Sequence, residues 1–205
     1  MTIPPTTRPP SELEEPPEVP TDVQLMARMQ SGDRAALGGL VDRHKDRLVN
    51  YLTRITGQRD RGEELAQEAF LRLFQTAAKY REQGRLLPFL YRIATNLVRT
   101  EERRERRYRL FSITHPHGPS GETHTHAAGP ARLLQQEAQR EVQRALAELP
   151  LRFRAPVVLH GVEGWTYQAI ATLLGCREGT VKSRIHRGHQ RLRSRLQGYW
   201  KGEGQ

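Results

Sequence analysis

Lys182, Ser183, Arg184, His186, Arg187 and Gln190 fall within nine residues, and each carries a group that can hydrogen-bond a nucleic acid. Arg187 can present paired donors to guanine, while Ser183, His186 and Gln190 can touch base edges. Lys182 and the flanking Arg184, Arg191, Arg193 and Arg195 suit phosphates. Such chemistry requires the side chains to leave one side of a helix narrow enough for a major groove. At about 100° per residue, Val181, Ile185, Leu192 and Leu196 form one stripe, and Ser183, His186, Arg187 and Gln190 project from the opposite side. Most charged helix faces are merely solvated. Here the cations are almost unopposed by acids over the whole segment, which favours groove binding.

A helix of that kind needs a support, and the preceding residues supply one. In WTYQAIATLLGCREGTVKSRIHRGHQRLRSRL, Thr166 can cap a helix whose Ile170, Ala171 and Leu174 face inward. Gly175 can supply the left-handed residue that ends it. Small Ala171 allows a close crossing, and Val181 opens the core face of the next helix. This is the grammar of a helix-turn-helix.

A second basic constellation lies upstream. In PFLYRIATNLVRTEERRERRYR, Leu90, Ile93, Ala94 and Leu97 recur at helical spacing, while Arg92, Asn96, Arg99, Arg103 and Arg106 step by three or four along the other side. That side can follow a phosphate backbone. Tyr80, Phe89 and Tyr91 bracket the loop REQGRLLP, and aromatics beside cations can hold unstacked bases. Packing alone favours core positions for Tyr80 and Phe89. Further upstream, EELAQEAFLRLF buries Leu65, Ala69 and Leu73 and leaves Glu64, Gln67, Glu68 and Leu71 outside. The residues by themselves leave two readings open there: a protein-docking patch, or an ordinary solvated helix with acids near its N-terminus.

The whole chain agrees with a polyanionic partner. It has 205 residues, 33 Lys and Arg against 23 Asp and Glu, a net charge of +10 and a pI near 10.4. No apolar run reaches the roughly 18 residues of a membrane span, and the start MTIPPTTRPP lacks a signal-peptide core, so a cytoplasmic protein without membrane insertion is expected. Cys176 is the single cysteine, expected as a buried thiol. Nothing suggests an enzyme or a cofactor: there is no phosphate-binding loop, no nucleophile with its base and no carboxylate cluster at metal spacing.

Composition divides the chain into four parts. Residues 1–21 are rich in Pro and Glu and are expected to be a disordered tail. Residues 22–111 read as a helical domain, broken at Ser31–Asp33, Gly57–Gly62 and Glu82–Pro88. Residues 112–131, SITHPHGPSGETHTHAAGPA, read as a flexible linker. Residues 132–200 form a second helical domain containing the helix-turn-helix. Its first helix is marked by Leu134, Ala138, Val142, Ala145 and Leu149 and ends at Pro150. The expected fold class is therefore all-α, two small helical domains on a tether. Within the linker, His115, His117, His124 and His126 make two His-x-His pairs; without supporting neighbours the expectation is that they hold no metal.

Taken in order, GDRAAL, EELAQEAFLRLF, FLYRIATNLVRTEERR and ALAELPLRFRAPVVLHGVEGWTYQAIATLLGCREGTVKSRIHRG resemble the polymerase-binding and promoter-reading regions of extracytoplasmic-function sigma factors, over roughly residues 22–110 and 134–198. The resemblance implies that Glu64, Gln67, Glu68 and Leu71 dock on core RNA polymerase. It implies that Tyr80, Phe89, Arg92, Asn96, Arg99, Arg103 and Arg104 serve the minus-ten element of promoter DNA. Lys182, Ser183, Arg184, His186, Arg187 and Gln190 would then serve the minus-thirty-five element. An anti-sigma factor is the further partner it implies. The rival reading is an autonomous helix-turn-helix regulator, against which the acidic patch and the Asn96 helix discriminate.

Five positions depart from that pattern or strain the local structure. Gly38 and Gly39 predict a weak point in a first-domain helix, at up to about 1 kcal/mol each relative to alanine. Phe89 stands where the family usually has tryptophan. His186 occupies a variable position, so promoter preference is not inherited. Pro156 is expected in the first turn of its helix, where a missing N–H is harmless.

Overall fold

A computed structural model describes residues 20–81, 86–111 and 130–202. The tail, residues 82–85 of the REQGRLLP loop and all four linker histidines lie outside them. Among the described residues every regular element is helical.

The first domain begins with α1 (Asp22–Gln30), held at its start by a capping box: Thr21 Oγ1 accepts from the Gln24 amide, and the Gln24 side chain accepts from the Thr21 amide at 2.6 Å. α2 (Ala35–Thr56) and α3 (Arg59–Thr76) form an antiparallel hairpin around Gly57, whose φ of +83° explains the glycine. The predicted break is shorter than Gly57–Gly62, because Gly62 already lies inside α3. A Cβ there would sit 2.6 Å from Thr53 Oγ1 and 2.9 Å from the Thr53 amide nitrogen, so only glycine permits the crossing. A 3₁₀ turn (Ala77–Lys79) leads towards α4 (Leu86–Phe111), which starts two residues before Pro88 and carries that proline harmlessly in its first turn. The predicted break at Glu82–Pro88 is shortened accordingly.

The Gly38–Gly39 pair does not interrupt α2. A Cβ on Gly39 would stand 3.1 Å from Leu25 Cδ2, so this glycine lets α1 lie close against α2. Leu25, Met26, Leu40, Leu48, Leu52, Ile55, Leu65, Ala69, Leu73, Leu90 and Ala94 fill the space between the four helices.

The second domain comprises α5 (Pro130–Glu148), α6 (Leu151–Gly161), α7 (Tyr167–Leu174) and α8 (Glu178–Gly202). Pro150 separates α5 from α6 as expected, but α6 starts directly after it. Pro156 is consequently the sixth residue of α6 rather than part of its first turn, and removes one intrahelical donor from a buried helix. Five flanking residues of α6, Ala155 and Val157 to Leu159 with Phe153, are buried and hold the helix in place. Val142 is 43% exposed rather than inward, and the buried side of α5 is Ala145 and Leu146, with Leu149 buried just beyond its end.

The two domains are packed together. α2 meets α5 and α6, α4 meets α7, and one apolar core runs from Leu25 through Tyr91 to Trp165 and Ile185.

Candidate nucleic-acid interface

The turn between α7 and α8 is built as its residues dictate. Thr166 Oγ1 accepts from the Ala169 amide at 3.2 Å, capping α7, and Gly175 ends it with φ +62°. Ile170 is buried as predicted, whereas Ala171 and Leu174 are only partly so; Leu173 is buried instead, because a step of three or four from Ile170 admits both Leu173 and Leu174 and the spacing alone does not choose between them. On α8, Val181 and Ile185 are buried and Leu192 and Leu196 half-buried. Gly188 completes this stripe and was overlooked. A Cβ on it would come 2.5 Å from Val157 Cγ2, so α8 crosses α6 at a glycine. Its spacing from Ile185 and Leu192 was the available signal.

The opposite side of α8 carries Lys182, Ser183, His186, Arg187 and Gln190, all exposed. The Ser183 hydroxyl donates to the Thr180 carbonyl at 2.9 Å, which leaves its oxygen lone pairs facing outward. Lys182 is less independent than its sequence suggested. Its ammonium pairs with Glu178 at 2.9 Å and lies 5.5 Å from the Tyr167 ring centroid, and the hydrogen bond to Glu178 holds its pKa above the usual lysine range. Among the described residues Arg195 also has an acidic partner, Glu148 at 2.8 Å. Arg184 is half-buried and points a guanidinium nitrogen 3.8 Å from Cys176 Sγ; that thiol is half-buried rather than buried as expected.

On α4, Leu90, Tyr91, Ala94, Thr95, Leu97 and Val98 are buried, while Arg92, Asn96, Arg99, Arg103 and Arg106 are exposed along one line. Asn96 Oδ1 accepts from Arg99 at 2.9 Å, which turns the amide NH₂ of Asn96 outward as a donor. Tyr80 is buried and Phe89 half-buried, with ring centroids 5.1 Å apart, and the Arg92 guanidinium stands 5.2 Å from the Phe89 centroid. Packing explains Tyr80. Arg104 falls about 100° around the helix from Arg103 and stacks over Tyr108, with 5.6 Å between the guanidinium and the ring centroid. It is the member of the predicted set that the helix does not bring to the Asn96 line.

On α3, Leu65, Ala69 and Leu73 are buried as predicted. Gln67 and Leu71 are exposed, Leu71 by 48%; Glu64 is exposed and ion-paired to Arg61, and half-buried Glu68 pairs with Arg72 at 2.8 Å.

Between the domains lies a cleft of about 390 Å³ whose walls include Arg99, Arg103 and Arg106 of α4, Arg152 of α6 and Arg184 of α8. The acid in its wall, Glu102, is engaged by Arg154. Burial lowers the Arg154 pKa, and Glu102 opposes that shift. None of this was visible in the sequence, because it depends on how the two domains meet.

A helix-turn-helix joined to a second helical domain with an arginine-lined helix defines a two-headed DNA-binding protein. Residues 40–108 match the family described as Sigma-70 region 2, and residues 139–192 match Sigma-70, region 4. The chain is 35% identical over 195 residues to the ECF RNA polymerase sigma factor SigE of Mycolicibacterium smegmatis, covering 91% of this chain and 72% of that protein. It is 28% identical over 182 residues to the ECF RNA polymerase sigma-E factor of Escherichia coli K12, covering 86% and 95%. Among solved structures, CnrH in complex with the cytosolic domain of CnrY superposes with TM-score 0.61 at 22% identity, covering 85% of this chain and 96% of that one. The sigma factor RpoE of Bartonella quintana, in complex with the anti-sigma factor NepR, superposes with TM-score 0.60 at 20% identity, over 77% and 94%. The chain belongs to the extracytoplasmic-function family of RNA polymerase sigma factors. It is thus a transcription initiation factor, and the family is not enzymatic. Among the described residues no helix is long and apolar enough to cross a membrane.

Proposed function

We propose that this sigma factor acts in the cytoplasm, docks on core polymerase through Glu64, Gln67, Glu68 and Leu71, and reads promoters with α4 and α8. The observation that carries the reading is the pair of separate polar helix faces. The outward NH₂ of Asn96 with Arg92, Arg99 and Arg103 serves the minus-ten element, and Arg187 with Lys182, Ser183, Arg184, His186 and Gln190 serves the minus-thirty-five element. Exposed Leu71 beside acids in a strongly basic chain supports a protein partner on α3. Strand opening needs no catalytic group, since capture of an extruded base offsets an unstacking cost of a few kcal/mol. Phe89, half-buried beneath Arg92, supports a role at the edge of that base.

The linker is shorter than the predicted 112–131, because α5 already begins at Pro130. Residues 112–129 span at most about 65 Å when extended, so by length alone the heads can touch elements one DNA turn apart, roughly 34–36 Å, and most of a second turn. Polymerase sets that separation, and joining two weak contacts raises affinity through effective concentration. The solved sigma factor RpoE held by the anti-sigma factor NepR supports control of this chain by such a partner. In vitro transcription of genomic fragments by core polymerase tests the reading. New start sites sharing a two-part upstream motif are expected only when the protein is added; salt-sensitive DNA binding without new starts would instead favour an autonomous regulator.

A further inference from the structure

The cleft between the domains draws its cations from three helices: Arg99, Arg103 and Arg106 from α4, Arg152 from α6 and Arg184 from α8. Steps of four and three keep the α4 arginines on one side of that helix, over roughly 10 Å of its axis. None of these arginines has a carboxylate partner among the described residues. Arg99 donates to Asn96 Oδ1 at 2.9 Å, Arg152 stands 4.8 Å from the Phe153 ring centroid, and Arg184 lies 3.8 Å from Cys176 Sγ. The acid in the wall, Glu102, is neutralised by Arg154, whose side chain is 8% exposed and also donates to the Ala147 carbonyl at 3.3 Å. The guanidinium charges that face the cleft are therefore left without a counter-charge of their own.

Like charges gathered around one concave, low-dielectric space repel each other, and an anion shared by several of them relieves that repulsion. The cleft holds about 390 Å³. That lies within the roughly 300–1,000 Å³ of small-molecule sites, and it is too small for a duplex whose major groove alone is about 12 Å wide. Its occupant is therefore a small anion. Guanidinium forks match phosphate oxygens and bind them in pairs. A row of arginines roughly 10 Å long exceeds the reach of one phosphate and suits several in a chain. Beside the arginines, buried Leu151 and half-buried Leu174 form an apolar stretch of wall, a place for an uncharged group such as a base.

We propose that this cleft is a binding site for a small ligand carrying linked phosphates, held by Arg99, Arg103 and Arg106 on one side and by Arg152 and Arg184 on the other. The site goes beyond promoter reading and stands without it, because the free chain binds the ligand with neither DNA nor polymerase. Cys176, the single cysteine, lines the cleft beside Arg184 and supplies a reporter in the natural sequence. With inorganic tripolyphosphate as the probe, in metal-free buffer at constant ionic strength, alkylation of Cys176 by uncharged iodoacetamide is expected to slow severalfold. Titration calorimetry should give one ligand per chain. Arg103→Gln and Arg152→Gln, exposed on facing helices, should each weaken binding by about fivefold or more, as for loss of a charge-assisted hydrogen bond. Arg140→Gln, the same loss of charge at an exposed position of α5 outside the cleft, should change it little.

Absence of saturable binding overturns the site, as does undiminished alkylation of Cys176 at saturating tripolyphosphate. Equal weakening by Arg140→Gln and Arg152→Gln overturns it too, because the attraction is then diffuse and belongs to the whole basic chain. Citrate, a tricarboxylate, separates phosphate recognition from charge: affinity equal to that of tripolyphosphate overturns the assignment to phosphates. Adenosine triphosphate then distinguishes the sources of the phosphate chain. Tighter binding than tripolyphosphate assigns a nucleotide that uses the wall of Leu151 and Leu174, and equal or weaker binding assigns inorganic polyphosphate. Failure of the site leaves the sigma-factor reading untouched, and failure of that reading in the transcription assay leaves the site standing.

Discussion

The two arginine-bearing helices differ in what surrounds them. α8 lays its apolar stripe on α6 and leaves Ser183, His186, Arg187 and Gln190 facing solvent. α4 is buried on the side that packs against α2 and α3, and from Arg99 onward its polar line enters the cleft beneath the second domain. The polar face of α8 is therefore presented and that of α4 partly shut in, although both are exposed amphipathic helices by sequence. Charge pattern marks the residues suited to DNA; interdomain packing decides which of them face solvent.

The largest effect should come from the shut side. Arg154→Ala strands Glu102 at the interface and removes the donor to the Ala147 carbonyl, lowering unfolding free energy by about 3 kcal/mol, at the low end for a broken buried pair because Glu102 retains some solvent. Urea denaturation checks it. On the open side, Gly188→Ala forces its new methyl against Val157 and should cost about 1–3 kcal/mol, read as a lowered melting temperature with weaker upstream DNA binding.

Contacts to DNA sharpen the contrast further. In the polymerase complex, Arg187→Ala should lose about 1–3 kcal/mol and relax base preference at one upstream position, as expected for a bidentate contact. Arg103→Ala should weaken binding uniformly across sequences and reduce the salt slope by about one. Titrations over a promoter library at several salt concentrations distinguish the two. The smallest change is expected from Glu178→Gln, which releases Lys182: DNA affinity should rise by a few-fold at low salt and the gain should vanish at high salt.

Much of each domain was legible because local pattern and packing agree. Thr166, Gly175 and Val181 defined the turn of the second domain, and Leu65, Ala69 and Leu73 defined the buried side of α3. The errors share another origin. Pro156 looked like a helix start because prolines favour first turns, yet the burial of Phe153 and Val157 to Leu159 keeps it mid-helix. Gly39 reads as a weak point, Gly62 as the end of a break and Gly188 as nothing, although each marks a helix crossing that a methyl group would obstruct or crowd. Val142 fits the spacing of α5 but falls where no partner helix covers it. Glu163 gave no signal, since a buried carboxylate is recognised only by the Arg47 and Tyr91 that receive it from 116 and 72 residues away.

Hydroxyl-radical footprinting of one responsive promoter, with the protein alone and with the protein bound to core polymerase, tests the central claim most directly. The account predicts protection of both upstream elements in the polymerase complex, and with the free protein at most weak protection of the upstream one. Equal protection of both elements by the free protein would contradict it.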